Sequence, residues 1–235
     1  MNRDEQPAPH DGGRDRGRAR RSGRRRRGTA FAVALAGLMV AGAVTVPATP
    51  SGAATTPTIA TAPFTTPTGV ALADTPPPWP IPADARPYIA AAGLSVLTAE
   101  QLDVHYHVHL DVIADGRAVT VPAGIGFVVV NGQETGITVL HTHDTSGILH
   151  IESATPQPYT LGQLFTEWGV ALDATRIGGL HADATHAVAA YVNGKRFTGD
   201  PATLSLVRHQ EIALWYGPTR TRPRVPKSYR FPAGL

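Results

Sequence analysis

The stretch HYHVHLDV, residues 105–112, alternates without a break: His105, His107, His109 and Asp111 take every second position, and Tyr106, Val108, Leu110 and Val112 fill the gaps. A period of two fits a strand and no helix, because successive side chains leave a strand on opposite faces. One face is apolar and has to be buried. The other carries three imidazoles and a carboxylate, more polar groups than a half-buried face tolerates unless they bind one another or a ligand. Any fold for this chain must therefore put an apolar layer beneath this strand and something that uses nitrogen donors above it.

Six of the ten histidines fall in two short segments, 105–109 and 141–150. Residues i and i+2 of a strand lie about 6.6 Å apart, so an adjacent pair can converge on one ion, whereas His105 and His109, about 13 Å apart, cannot. A site would take one His-x-His pair and complete its shell from a neighbouring strand about 4.8 Å away. The segment LHTHDTSGILHIES supplies that neighbour: with DTSG closing a hairpin, His141 falls opposite His150 and Val139 opposite Glu152, all on one face. The expected ligands are His105, His107, His109, His141, His143 and His150. Asp111, Asp144 and Glu152 are expected to ligate or to accept the second ring N–H of a liganding histidine. No cysteine occurs, which excludes thiolate ligands and disulfides; nitrogen-rich, sulfur-free donors suit copper or zinc better than magnesium or calcium.

The first 28 residues hold ten arginines against four acids, and 29–46 run 18 residues without a charge. This is the pattern of a basic cytoplasmic leader followed by a signal peptide or signal anchor, with the remainder outside the cytoplasm. The length lies between a signal h-region and a spanning helix, so a cleaved, secreted form and one held in the cell membrane by a transmembrane helix both stay open. Residues 47–80, rich in Thr, Pro and Ala, read as a disordered linker. Residues 218–235 are basic and proline-broken and read as an arm over the domain surface, pinned by Tyr229 and Phe231. Between 29 and 217, six Lys/Arg face fourteen Asp/Glu, a net charge of −8. Such a domain hosts cations and makes a poor nucleic-acid partner.

Residues 81–217 form the expected β-rich domain. The ADG turn at 114–116 joins the histidine strand to a second strand, and AVAAYVNGKRF is a hairpin with Asn193-Gly194 in a type I′ turn. Thr160 and Gln163 form a capping box ahead of Leu161, Leu164, Phe165 and Trp168 at helical spacing. The stretch YVNGKRFTGDPATLSLVRHQEIALWYG resembles the closing half of the transcobalamin C-terminal-like β-grasp family, over about 60 residues from Tyr159 to Gly217. The resemblance implies a fold and no activity. The pairing of HYHVHLD with LHTHDTSGILHIES and the ending VPKSYRFPAGL also resemble an exported bacterial family without an assigned mechanism. The expected class is α+β: a β-grasp-like mixed sheet with one packed helix and an inserted histidine-bearing β-hairpin.

Three functions fit these features. The first is an extracytoplasmic copper- or zinc-binding protein. The second is a metal-dependent hydrolase, hydratase or oxidase with a three-histidine site and an open position for water. The third is a metal-free cell-surface interaction module whose histidines bond among themselves. No nucleophile-elbow pattern surrounds Ser146 or Ser153, and no glycine-rich loop has phosphate-binding spacing.

Overall fold

The computed structural model describes residues 58–235. The histidine segment is the long strand β1, Val104–Ala114, and the ADG turn leads to β2, Arg117–Val119. The following segment contains β3 (Phe127–Val130), β4 (Gln133–Ile137), β5 (Leu140–His141) and β6 (Ile148–Ser153). Three short strands follow, β7 (Leu172–Asp173), β8 (Arg176–Ile177) and β9 (Leu180–His181), and then β10 (His186–Val192), β11 (Lys195–Phe197) and β12 (Glu211–Pro218). The main mixed sheet runs in the order β11-β10-β12-β1-β6-β5, with β2 beside the C-terminal half of β1. Strands β1 and β12 are parallel; β10 is antiparallel to β12. Strands β3 and β4 form a two-stranded sheet of their own, and β7, β8 and β9 a three-stranded one.

Turn chemistry sets the two outer hairpins. Asn193 and Gly194 have φ of 51° and 74°, and Asp115 and Gly116 have 50° and 77°, the paired left-handed conformations of a type I′ turn, whose twist matches the flanking strands. The apolar face of β1 is buried as its alternation demands, with Val108, Leu110 and Val112 in the core. Over that core lies helix α2, Leu161–Glu167, opened by the expected capping box: Gln163 N donates to Thr160 Oγ1 and Thr160 N donates to Gln163 Oε1. Leu161, Leu164, Phe165 and Trp168 are all fully buried.

Three expectations need correction. A second helix, α1 (Arg86–Ala91), accompanies α2; at six residues it buries only Ile89 and is too short to show helical periodicity in the sequence. The linker reading of 47–80 fails over 58–80. Thr61 and Ala73 form bridges to Leu204 and Val170, and Trp79 is buried edge-on against Trp168 at 5.8 Å between ring centroids. A Thr/Pro/Ala segment cannot build its own core, but it can hydrogen-bond to an existing surface and pack apolar side chains there, with Trp79 and Ala62 buried and Ile59, Phe64 and Ala73 set against the core. The transmembrane assignment is also withdrawn: among the described residues no helix is long and apolar enough to cross a membrane, and the apolar run 29–46 lies outside those residues. The leader 1–28 lies outside them too.

Candidate metal centre

Strand pairing brings the two histidine segments together. Strand β6 lies between β1 and β5, and the register sets His107 opposite His150, His105 opposite Glu152, and His141 opposite His150. The last pairing is the one expected from the DTSG turn. Side chains of His105, His107, His150 and Glu152 consequently rise from one face of adjacent strands.

Their donor atoms close a ring. His105 Nε2 lies 3.1 Å from His107 Nε2, which lies 3.2 Å from His150 Nδ1; His150 Nδ1 is 3.3 Å from Glu152 Oε1, which is 3.2 Å from His105 Nε2. Two ligands on a tetrahedral ion with bonds of ~2.0–2.1 Å are about 3.3–3.4 Å apart. The spacing therefore suits four donors around one ion. Hydrogen bonding satisfies it poorly, because His107 Nε2 faces two nitrogens with one proton at most. A second group, His141, His143, His150 and Glu152, also holds its donor atoms within 4.8 Å of one another.

Electrostatics keep these imidazoles ready to ligate. Burial, and after it the neighbouring histidines, hold His107 down to about 4 and His150 down to about 3. Burial likewise lowers His141 to about 4 against the opposing Thr138 carbonyl. All three are neutral near pH 7, the form that binds a metal. His141 Nδ1 donates to Thr138 O at 2.9 Å, leaving the Nε2 lone pair free. Burial raises the Glu152 carboxyl, with the Glu100 charge adding to it. The rings of His105 and His143 are partly exposed, so the centre opens to solvent on their side.

The other expected residues lie apart from this ring; His109 and Asp111 form, with Glu211, a third group whose ligand atoms lie within 4.8 Å of one another. His109 is on the histidine face of β1, but its Nδ1 faces Glu211 Oε2 at 2.8 Å and its Nε2 donates to Ser146 O at 2.9 Å, while Tyr229 from the C-terminal arm stacks on the ring at 3.6 Å. Burial opposes protonation of His109, but the bond and charge of Glu211 override it and raise its pKa. Asp111 keeps company with this pair, 3.8 Å from His109 Nδ1, and not with the cluster. Asp144 is exposed and accepts from Ser146 N at 2.8 Å, shaping the DTSG turn. A turn aspartate bonding two residues ahead is doing backbone work.

Two buried acids escaped sequence reasoning. Glu211 was legible only as a charge at the head of an apolar strand, since its partner is 102 positions away. Glu167 ends α2, fully buried, and burial lifts its pKa well above the ordinary carboxylate value. Thr138 Oγ1 is 2.5 Å from Leu140 O and 2.9 Å from Glu167 Oε2. Thr138 Oγ1 is the donor in both contacts, its single proton shared between the Leu140 carbonyl and Glu167 Oε2. This chain steadies the loop that orients His141. Glu167→Gln, which keeps an acceptor oxygen for Thr138, should stay within about 1 kcal/mol of the parent, whereas Glu167→Ala should lose about 2–3 kcal/mol by removing that acceptor and opening a cavity; chemical denaturation of both variants checks the contrast.

Comparison of the chain with protein-family models, curated proteins and solved structures gave no match.

Proposed function

We propose that this protein binds a zinc or copper ion through His105, His107, His150 and Glu152, and that it does so outside the cytoplasm. The observation that carries the reading is the closed ring of four donors at 3.1–3.3 Å, three of them imidazole nitrogens. Nitrogen and oxygen donors without sulfur suit these ions. An acid-rich domain behind an arginine-rich leader and an apolar run supports the exported location. The strand order β2-β1-β12-β10-β11, with first and last strands parallel and a helix between the two hairpins, supports a β-grasp-like reading of the domain and kinship with the transcobalamin C-terminal-like family.

Elemental analysis of the full chain, purified without a histidine tag after exposure to each ion, tests the proposal. At least one equivalent per chain should survive dialysis at neutral pH. Release should begin well below pH 6.5, the ordinary imidazole value, because burial makes protons poor competitors at His107 and His150. A chain that keeps neither ion at stoichiometric level overturns the reading.

A further inference from the structure

Glu152 faces two different sets of histidines with its two oxygens. Oε1 meets His105 Nε2 at 3.2 Å and His150 Nδ1 at 3.3 Å. Oε2 points the other way, 3.8 Å from His141 Nε2, and neither of these two buried atoms has a hydrogen-bond partner. We infer that the centre holds two ions, with Glu152 bridging them: the first on His105, His107, His150 and Oε1, the second on His141, His143 and Oε2.

This rests on the metal-binding reading above and adds the nuclearity of the site. His141 Nε2 carries a lone pair, because its only ring proton goes to Thr138 O; Glu152 Oε2 is an acceptor as well. Two acceptors turned towards each other in a buried place call for a cation between them. Protonating His141 would not repair the contact, since 3.8 Å exceeds a hydrogen bond. An ion bonded at ~2.0–2.1 Å to each atom spans up to about 4.1 Å and fits.

One ion cannot use every donor. His105 and His107 belong to one group and His141 and His143 to the other; only His150 and Glu152 are common to both. The ring around the first position is complete without His141. For the second, a ligand nitrogen of His141 and one of His143 lie within 4.8 Å of each other and of a Glu152 oxygen, the two rings standing 4.9 Å apart and nearly perpendicular. Ions bridged in this way sit about 3.5–4 Å apart. The second ion has three protein ligands, and His143 is 43% exposed beside Glu100, so its remaining position opens to solvent and takes an exchangeable oxygen ligand, water or a small oxyanion.

Metal counting on the tagless full chain, saturated with zinc and then desalted, decides the point. Two ions per chain are expected, falling to one in His143→Ala, an exposed position whose loss leaves the core intact. One ion in both parent and variant would overturn the pair and leave the single-ion reading standing; none in either would overturn both. The copper-loaded chain gives a second readout. Two Cu(II) ions sharing one carboxylate couple their spins and lose part of their paramagnetic resonance intensity, so two bound coppers at full intensity would refute the bridge.

Discussion

Replacing His150 by alanine is expected to weaken metal binding by at least ~100-fold, because loss of a residue that merely orients a ligand already weakens affinity 10–100-fold and His150 is itself a donor. It stands in both of the donor groups that share Glu152, so no neighbour substitutes for it without leaving its own place. Competition against a chelating dye, at fixed pH, reads the change. The same variant should behave in the opposite way without metal. Burial holds His150 at about 3 in the folded protein, against about 6.5 in an unfolded chain. Between those values the unfolded state takes up a proton that the folded state refuses, so stability falls as pH drops from about 6.5 towards 3. Each tenfold difference in proton affinity corresponds to about 1.4 kcal/mol, and solvent screening at this open centre trims the total to a few kcal/mol. Burial raises Glu152 and thereby contributes a slope of opposite sign. Subtracting the variant's stability curve from the parent's isolates the histidine: the metal-free variant should lose less stability on acidification. Parallel curves would show that His150 is not held neutral by its surroundings.

Trp79→Ala should lower stability by about 3–5 kcal/mol, the usual range for removing a fully buried large aromatic. The indole is 2% exposed, donates through Nε1 to Thr75 O at 2.7 Å and sits edge-on to Trp168. Trp168 in turn donates to the Trp79 carbonyl at 3.1 Å. For a domain of this size the change corresponds to a drop in Tm of roughly 10 °C. Trp79→Phe should retain most of the packing and lose mainly the Thr75 bond, about 1 kcal/mol. An unaltered Tm in the alanine variant would return residues 58–80 to the status of a tether.

Local signals were legible in the sequence and long-range ones were not. The alternation of 105–112, the Asn193-Gly194 turn and the Thr160/Gln163 box each act within a few residues, and each has the form their chemistry dictates. The His141 to His150 register was readable because a four-residue turn fixes it. His109 could not be sorted from His105 and His107 by pattern, since all three share a face of β1. What separates them is the partner across the strand: Glu152 and His150 oppose the first two, while Glu211 of β12 comes up beside the third from the far end of the chain. The packing of 58–80 was hidden for the same reason, because composition reports what a segment can bury by itself and not what a remote surface offers it.

The parallel ladder between the histidine strand and the last strand has a kinetic consequence. Its partners, such as His109 and Glu211, are separated by most of the domain, and pairings this remote close slowly because loop entropy is lost before contacts compensate. The imidazole-bearing strands meet within the span 105–152. During synthesis that half can assemble while the final strand is still being made, leaving one edge of the central strand bare until the chain is complete. A cation captured early would rigidify the half-built sheet and give the incoming C-terminal strand a preformed edge on which to zip.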